Sequence, residues 1–566
     1  MPRTVRVAVI GSGLAGLTAA NLLTRPHIGD DIEFEVHLFE KVRQYKKITQ
    51  ALPSLTVIKA SEIGMDSASI SIQNPGLEKD WRVDVPMRSF QGGYYSQLIA
   101  MYKNLGVAFR ESDFSYSFST LTNSHNNSGR SISTTFIYNG SSGSAGISKP
   151  SALSQPAKQL HFGTWPDAVN WIWSSLLFIY MAFHLVLCYL ITLYHSLPLC
   201  RDQNISSMVF KDWLLSVKPD GVLSRILGLD VAWLSYVQHI LIPLFSAVCT
   251  APEECVLDHP VEEFLDYIWL TLGTHHYVTS NGVREVVALL TSNLHHIHLS
   301  SPIVAIVPDP NNSEMISIQC TQNNVPKSYD GFQHLIFATQ ASGAVPLVES
   351  YIANLPPSQT HRRTVLHDVV SCLKTFKQCT SMVINHTDST LLPDNDLDLR
   401  QLNLISRNTQ SLPLAQQDKV PTHCVSPTYT MATQVLSRPP GYPADAPTVY
   451  QTTNPLLPPC KDNILSVAKF ERGVVTKDSK EALELLSVVK SKKWWQCGYQ
   501  ADTCLGPLQG ALSHPEKREA PIWFCGSYAH SGIPLLEGCV ISARNVVEQG
   551  IHEFEGVKFR EEPWRI

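Results

Sequence analysis

The chain has 566 residues, of which 44% are apolar and 16% are charged, and its formal net charge is -5. A chain of this length can bury a large core in two or three domains, so small disulfide-built scaffolds are excluded. Lysine and arginine number 44 against 49 acidic residues without a long basic run, which excludes nucleic acid as a main partner. The low share of charged residues indicates that part of the surface faces something other than water.

The first predicted elements are a strand, a glycine-rich turn and a helix. The β-branched run Val5 to Ile10 predicts a short strand, and a helix rich in alanine and leucine follows. The turn between them consists of Gly11, Ser12, Gly13, Leu14, Ala15 and Gly16. At this spacing the first glycine permits the turn, the second lets backbone amides approach a pyrophosphate, and the third lets helix and strand pack closely. The pattern predicts dinucleotide binding, with a plain glycine turn as the alternative.

A second apolar run, Phe34 to Phe39, predicts the next strand, and Glu40 follows it. In a βαβ nucleotide-binding unit, a carboxylate at about this distance from the glycines binds the adenosine ribose. A carboxylate also repels a 2′-phosphate. Glu40 thus favours FAD or NAD over NADP as the cofactor.

Residues 116–160 are dominated by serine, glycine, asparagine and threonine and contain few apolar side chains. Such a composition rarely provides enough apolar surface for a core. We predict a low-complexity surface insertion here, partly disordered and without a functional role.

Residues 168–198 form the longest apolar segment of the chain and contain no charged side chain. The inner part, residues 171–194, is long enough for one bilayer span. A second uncharged stretch, residues 231–250, includes Pro243 and polar side chains, and is predicted to be domain core. His184 and Cys188 share one face of the first segment, which indicates packing and not metal binding.

The C-terminal segment Pro521 to Val547 shows a second pattern of strand, glycine and helix. Its strand runs into Gly526 and Ser527, and the pair Glu537-Gly538 opens a helix of small residues. Together with the N-terminal glycines, this segment resembles the flavin-containing amine oxidase superfamily. The resemblance implies a bound FAD, with Gly526 beside the ribityl-phosphate chain and the backbone of Glu537 and Gly538 at the pyrimidine edge of the flavin. Cys497 lies upstream of Gly526 at a distance similar to that of the covalent flavin cysteine of monoamine oxidases, but the motif around it differs, so we expect a noncovalent flavin. A helix N-terminus at that edge would stabilise the negative charge of a reduced flavin.

Internal motifs resemble one branch of that superfamily, the predicted NAD/FAD-binding oxidoreductases related to the N-terminal region of some cyclopropane-fatty-acid synthases. These motifs are residues 83–90, the pair Tyr94-Tyr95, and residues 105–107, 112–115, 386–393 and 453–455. The resemblance also implies that the backbone of Val304 holds the adenine, with an ordinary buried strand as the alternative. Two features depart from the family pattern: no Arg-Gly-Gly follows Glu40, and Ser527 stands where many amine oxidases have an acidic residue.

The resemblance implies an α/β fold, in which a discontinuous Rossmann-like FAD-binding domain is joined to an amine-oxidase-like, mixed α+β substrate domain. Residues 1–60, 275–345 and 515–550 are assigned to the FAD-binding domain. Residues 80–275 and 346–514 are assigned to the substrate domain.

The expected activity is that of an FAD-dependent oxidoreductase that removes a hydride from a C–H bond of an apolar, lipid-like small molecule. The alternatives are an amine oxidase acting on a small amine, and a non-catalytic scaffold protein that retains a dinucleotide-binding fold. No catalytic residue is assigned, because the flavin carries out the hydride chemistry itself. His386 and Asp388 form either an acid–base pair or a solvated turn after a strand. Four aromatic residues form either the walls of the cavity or part of the core: Trp494, Trp495, Tyr499 and Tyr528.

A single bilayer span at residues 171–194 would place Gly13 and Gly526 on opposite sides of the membrane, so that one flavin site could not assemble. The segment is therefore expected to lie in one leaflet, to form a hairpin with a second segment, or to be buried at a protein interface. The 13 scattered cysteines, with no CxxC pair and no secretory signal, favour reduced thiols and argue against a metal site. We predict a membrane-associated protein whose flavin domain faces the cytosol, with a soluble cytoplasmic protein as the alternative.

Overall fold

The computed structural model describes residues 2–29, 32–41, 51–52, 55–59, 63–73, 80–123, 130–140, 143–153, 165–322, 324–407, 422–443, 446–491, 493, 495–510 and 520–564. The strands in chain order are β1 (Arg3–Ile10), β2 (His27–Ile28), β3 (Ile32–Phe39), β4 (Ala51–Leu52), β5 (Leu55–Lys59), β6 (Ile70–Gln73), β7 (Trp81–Val83), β8 (Ser89–Gln91), β9 (Phe109–Glu111), β10 (Tyr116–Asn123), β11 (Arg130–Tyr138), β12 (Ile147–Ser148), β13 (His276–Thr279), β14 (His296–His298), β15 (Ile303–Pro308), β16 (Ile316–Gln322), β17 (Val325–Phe332), β18 (His334–Phe337), β19 (Lys377–His386), β20 (Leu402–Arg407), β21 (Met431–Val435), β22 (Tyr450–Thr453), β23 (Ile464–Val474), β24 (Ser487–Ser491), β25 (Asp502–Leu505), β26 (Ile522–Phe524) and β27 (Lys558–Phe559).

The helices are α1 (Leu14–Leu23), α2 (Ser96–Leu105), α3 (Trp165–Ser196), α4 (Phe210–Ser216), α5 (Val222–Ile226), α6 (Leu229–Tyr236), α7 (Ile242–Cys249), α8 (Glu253–Leu257), α9 (Val261–Thr271), α10 (Val283–Thr291), α11 (Ala341–Asn354), α12 (Thr360–Thr375), α13 (Lys477–Leu483), α14 (Leu536–Asn545) and α15 (Glu553–Glu555). Short π-helical segments, Val237–Leu241 and Val546–His552, join α6 to α7 and α14 to α15.

A five-stranded parallel sheet contains the first and last strands predicted from the glycine motifs. Its order is β14-β3-β1-β18-β26, and every neighbouring pair is parallel. Strands of such sheets are buried on both faces, which explains the unbroken apolar end of β1, Val7 to Ile10. Because all five strands run the same way, their carboxyl ends meet at one edge, the edge at which ligands bind in parallel sheets. The predicted α/β class with a parallel sheet is confirmed.

The strands of this sheet come from the three separate segments that the sequence assigns to the FAD-binding domain. Backbone hydrogen bonds beyond the strand ends join these segments. Ala338 N donates to Ile10 O at 2.9 Å, and Cys525 N donates to Phe337 O at 2.9 Å. The beginning and the end of the chain are thus fixed beside each other.

The second large sheet has eight strands in the order β12-β11-β10-β20-β21-β22-β19-β23. Its strands β10 and β11 lie where the composition predicts a surface insertion, and the structure differs from the prediction there. Their polar side chains are buried and paired: Ser117 Oγ lies 2.7 Å from Asn403 Oδ1, and the hydroxyls of Ser119 and Thr134 are 3.0 Å apart. Composition misleads here because threonine favours strands and a hydrogen-bonded hydroxyl can be buried. The rest of the predicted insertion includes residues 124–129, 141–142 and 154–160, which lie outside the described residues.

Helices α3 to α9 pack around a core of their own. At its centre Phe245 and Phe264 stack with their ring centroids 4.0 Å apart. Helices α6 and α7 continue through the π-helical segment as one helix, and this helix and α3 are long and apolar enough to cross a membrane by length and composition. Phe245 is buried as the sequence predicts for residues 231–250, but Val231 is 66% exposed.

Candidate functional site

The turn between β1 and α1 is held by close backbone contacts. Gly11 has a φ of +104°, and its N–H donates to Phe39 O at 2.9 Å. A Cβ at Gly11 would lie 2.8 Å from the carbonyl oxygen of Ala338, and a Cβ at Gly16 would overlap with the carbonyl oxygen of Gly11. Both positions require glycine, because the backbone passes too close for any side chain.

Gly13, between these two glycines, has open space in front of it. It is the N-cap residue of α1, and no heavy atom of the described residues lies within 4 Å of the place of a Cβ. Helix α1 has neither a side-chain cap nor an acidic residue in its first turn. Its free N–H groups and the positive end of its dipole thus face a space that suits an anionic group.

The carboxylate of Glu40 points at this turn. Its Oε2 accepts hydrogen bonds from Ser12 N at 3.0 Å and from Ser12 Oγ at 2.5 Å. The backbone of Gly64 contacts both Ser12 and Glu40. Gly64 N donates to Ser12 Oγ at 2.6 Å, and a Cβ at Gly64 would lie 2.7 Å from Glu40 Oε2. A glycine therefore does approach Glu40, although sequence reasoning sought one only in residues 41–50, most of which lie outside the described residues.

Val304 is at a bulge of β15, and its side chain is 65% exposed. The loop before it is bound to Glu40, because Ser301 N donates to Glu40 O at 2.9 Å. The alternative of an ordinary buried strand does not describe Val304. Val304 lies three residues after Ser301, which contacts Glu40, and Glu40 in turn binds Ser12 of the turn between β1 and α1.

The C-terminal glycine motif forms a compact turn before α14. Gly526 follows β26 with a φ of +154°, and Ser542 Oγ accepts from Gly526 N at 3.0 Å. The same Ser542 Oγ lies 2.7 Å from Gly538 O, and a Cβ at Gly538 would lie 3.1 Å from Ser527 O. Three of the predicted residues, Gly526, Ser527 and Gly538, are thus brought together.

The N-terminal and C-terminal motifs meet in the structure. A Cβ at Gly526 would lie 3.7 Å from the carbonyl oxygen of Thr339, which follows the Ala338 that contacts Gly11. Burial raises the pKa of the Cys539 thiol to about 11, and hydrogen bonds from the backbone of Ser527 and Ala15 oppose the rise. The side chain of Cys539, in the first turn of α14, therefore contacts both the N-terminal motif at Ala15 and the C-terminal motif at Ser527. The N-termini of α1 and α14, both without side-chain caps, lie together at the carboxyl edge of the parallel sheet.

The side chain of Glu537 turns away from this junction and caps α2. Its carboxylate accepts from Gln97 N at 2.7 Å and Leu98 N at 2.8 Å, and Ser96 Oγ lies 3.3 Å away. Burial raises the pKa of Glu537 to about 7 against the effect of these donors. Because its side chain binds α2, Glu537 could contact a ligand at the junction only through its backbone.

Two guanidinium groups that the sequence did not single out lie near Cys539. Arg88 Nη2 donates to Met65 O at 3.1 Å, and the Nε atoms of Arg88 and Arg472 are buried without a hydrogen-bond partner among the described residues. Burial lowers the pKa of Arg88, and it lowers the pKa of Arg472 to about 10, where the charge of Arg88 adds to the fall; Arg472 is thus charged at pH 7. Buried positive charge of this kind needs an anion to compensate it.

The four aromatic residues considered from the sequence do not form one wall. Tyr499 stacks on Tyr94 with 4.1 Å between ring centroids, a distance that leaves no room for a molecule between the rings. Tyr528 packs against Phe376 at 5.1 Å, and Trp495 is 53% exposed. Trp494 lies outside the described residues.

His386 and Asp388 are both buried, and Asp388 N donates to His386 Nδ1 at 3.2 Å. His386 Nε2 lies 2.7 Å from Thr452 Oγ1, and the Asp388 carboxylate accepts from Thr390 N at 2.9 Å and Cys460 N at 2.7 Å. Their side chains bind the fold and not each other. The structure supports neither an acid–base pair nor a solvated turn.

A cavity opens beside the N-terminus of α14, and its lining includes two buried titratable groups that sequence reasoning missed, His530 and Glu263. Lys377 and Lys480 also line this cavity. Neither ring nitrogen of His530 has a hydrogen-bond partner among the described residues, and the residue is 4% exposed. Burial lowers the pKa of His530 to about 4 and raises the pKa of Glu263 to about 8, so both groups are neutral at pH 7. The lining also includes Phe376, Gly473, Tyr528, Gly532 and Pro534.

One group of possible metal ligands exists among the described residues, on the parallel sheet. Ligand atoms of Glu35, His37 and His296 lie within 4.8 Å of one another. Arg6 already supplies a positive charge there, since its Nε donates to Glu35 Oε1 at 3.1 Å and its Nη2 lies 3.2 Å from His37 Nε2. The guanidinium takes the place that a metal ion would need.

No family model and no curated protein matches this chain. Among solved structures, an oxidoreductase from Methanosarcina mazei is 11% identical with a TM-score of 0.43, covering 96% of this chain and 100% of that chain. Wild-type putrescine oxidase bound to putrescine is 12% identical with a TM-score of 0.40, covering 96% of this chain and 98% of that chain. At such distances the function has to be inferred from the residues of this chain.

Gly13 and Gly16 provide a matched test of the junction. Gly13→Ala should leave the melting temperature of the FAD-free protein unchanged, because its Cβ meets open space, while FAD affinity falls. Gly16→Ala should destabilise the FAD-free protein by at least about 2 kcal/mol, because its Cβ meets backbone. Thermal unfolding with and without FAD measures both effects. Equal losses of stability in the two FAD-free variants would contradict the assignment.

Glu263 should make stability depend on pH. In the unfolded chain this carboxyl has the ordinary glutamate pKa of 4.5, whereas burial raises its pKa to about 8 in the folded protein. Folded wild type therefore loses stability as pH rises through this window, and Glu263→Gln does not. The stability of the variant relative to wild type should grow by roughly 1.4 kcal/mol per pH unit. Glu254→Gln, at an exposed carboxyl of α8, is the control in urea titrations, and a difference for Glu263→Gln that stays constant with pH would disprove the burial effect.

Proposed function

We propose that this chain is an FAD-dependent oxidoreductase. The junction of two helix N-termini at the edge of a parallel sheet supports this most strongly, because such a junction suits an anionic dinucleotide. Gly13 opens onto the junction, and Arg88 and Arg472 add positive charge near its second helix. Each of these features fits the diphosphate or the electron-rich ring edge of FAD.

Each motif has a separate part in holding the cofactor. The amides from Gly11 to Gly16 would bind the diphosphate, with Glu40 stabilising the turn through Ser12. The other contacts would come from Gly526 and Ser527 at the ribityl chain, from the backbone of Glu537 and Gly538 at the pyrimidine edge, and from the backbone of Val304 at the adenine. When bound, the flavin would accept a hydride from a C–H bond of the substrate.

A noncovalent flavin agrees with the chemistry of Cys497. This residue lies upstream of Gly526, at a place where a covalent link to flavin could be sought. Burial raises the pKa of the Cys497 thiol to about 12, so that the thiol stays protonated at neutral pH. A protonated thiol is a poor nucleophile.

The lining of the cavity beside α14 argues against a small amine as the substrate. Glu263 is the acidic group in it that would attract an ammonium ion, but at pH 7 this carboxyl is neutral, and Lys377 and Lys480 in the same lining would repel a further cation. The stacked pair Tyr94 and Tyr499 is closed and leaves no gap for an amine. Both observations favour hydride removal from an apolar molecule over oxidation of a small amine.

The purified protein supplied with FAD should be yellow and should release FAD on denaturation. Anaerobic mixing with apolar lipids should then bleach the flavin, and mixing with small amines should not. Gly13→Glu should abolish flavin retention, because a carboxylate would occupy the space of the diphosphate. A colourless protein would favour the non-catalytic scaffold, and bleaching by amines alone would favour the amine oxidase.

His530 should matter for the reaction and not for the cofactor. Its neutral imidazole lies in the cavity with both nitrogens unpartnered, so it can accept a proton or a hydrogen bond from a substrate. His530→Phe should slow anaerobic flavin bleaching by about a hundredfold while flavin content stays normal. His552→Phe, at a buried imidazole that stacks on Phe34 at 5.7 Å, should leave the rate unchanged. Equal rates in wild type and His530→Phe would remove His530 from the mechanism.

A further inference from the structure

Helix α3 has the reverse of the usual arrangement, with small and polar residues facing the protein and large apolar residues facing outward. Its buried residues share one face and include Ser174, His184, Cys188, Thr192 and Ser196. The opposite face exposes Trp171 (68%), Trp173 (63%), Ile179 (63%) and Phe183 (53%). On a water-exposed helix of a soluble protein the apolar stripe faces the core.

The inner face of α3 is attached to the protein from Ser174 to Ser196, whereas residues 169–173 before it are exposed. Lys149 Nζ donates to Ser174 Oγ at 2.6 Å, and His184 Nε2 lies 2.8 Å from Leu227 O. The buried Ser196 marks the other end of this stretch. These contacts cover about 33 Å of helix at 1.5 Å per residue. Both ends of this stretch therefore belong to the same folded body and cannot lie on opposite sides of a bilayer.

A second apolar segment continues the exposed face of α3. Helices α5 and α6 expose Val222 (77%), Leu223 (69%), Ile226 (76%) and Val231 (66%). Their junction touches α3, since a Cβ at Gly228 would lie 3.1 Å from the hydroxyl of Tyr180. The outward face of α3 and the exposed residues of α5 and α6 form one continuous area, called here the apolar surface.

We propose that the apolar surface inserts into one leaflet of a lipid bilayer, with α3 lying along the membrane plane. Exposed aliphatic and aromatic side chains of this number present on the order of 1,500 Å² of apolar area, well beyond the largest patch of an ordinary monomer. Residues 168–200 contain no charged side chain, which matches hydrocarbon. An interface with a second copy of the chain would instead have a polar rim and about one hydrogen bond per 100–200 Å² of contact area. This attachment does not depend on the proposed flavin chemistry.

The test uses the full-length protein and neutral phosphatidylcholine vesicles. Wild type should float with the vesicles at low and at high salt, because neutral headgroups offer no net charge to the exposed Arg225 of α5. The triple variant Trp173→Glu, Ile179→Glu, Ile226→Glu changes only outward side chains, and should lose vesicle binding at least about tenfold. The matched control Val325→Glu, Leu397→Glu, Val489→Glu adds the same charge at positions that are 57%, 78% and 50% exposed elsewhere, and should bind like wild type.

Three results would overturn the proposal. The first is flotation of the outward triple variant at the level of wild type. The second is a wild type that ignores vesicles and forms dimers which the outward variant breaks, since the apolar surface would then join two copies. The third is quenching of Trp173 emission that is stronger with bromine deep in the acyl chains than near the headgroups, which indicates a crossing helix. Flavin content is measured in every sample, so that loss of the fold and failure of the flavin proposal are each recognised separately.

Discussion

The close approach of backbone from three distant parts of the chain determines the shape of the candidate site. Gly11, Ala338 and Gly526 lie at the ends of neighbouring strands, and at the first of them even a methyl group would collide with a carbonyl oxygen. Only at such separations can α1 and α14 bring their N-termini together. The resulting positive potential is fixed by the backbone, so it needs no side chain to create it.

Burial then sets the charge of the groups around that junction. Burial raises the pKa of Glu263 to about 8, so this carboxyl is largely neutral at pH 7, and raises the pKa of Glu537 to about 7, so that carboxyl is about half protonated. Arg472 keeps its charge, since it remains protonated with a pKa lowered to about 10. Arg88 and Arg472 thus place buried guanidinium groups beside the junction, where Asp84 and Asp66 offset part of the charge of Arg88. A bound anion would compensate the rest and reduce the cost of burying these groups.

The sequence predicted the parts of this site that depend on local pattern. A β-branched run followed by spaced glycines specifies a strand, a turn and a helix within a short stretch, and the parallel sheet confirmed the class of fold. Residues recruited from far away in the chain had no such signal. Gly64 contacts Glu40, although it lies outside residues 41–50, where a glycine was expected. Arg88 and His530 reach the junction only after the strands have assembled. Strands β10 and β11 escaped prediction because paired hydroxyls replaced the apolar alternation that marks a buried strand.

The helix from Leu229 to Cys249 connects the apolar surface to the interior. Its first turns expose Val231, and its last residue, Cys249, lines a cavity together with Gly473 and Pro534. The same two residues, Gly473 and Pro534, also line the cavity that contains His530. A continuous helix of this length spans about 30 Å, so one rigid element reaches from the outer apolar face to the cavities beside α14. The exposed apolar face and the cavities beside α14 are therefore joined by one helix, so the same element holds both in fixed positions relative to each other.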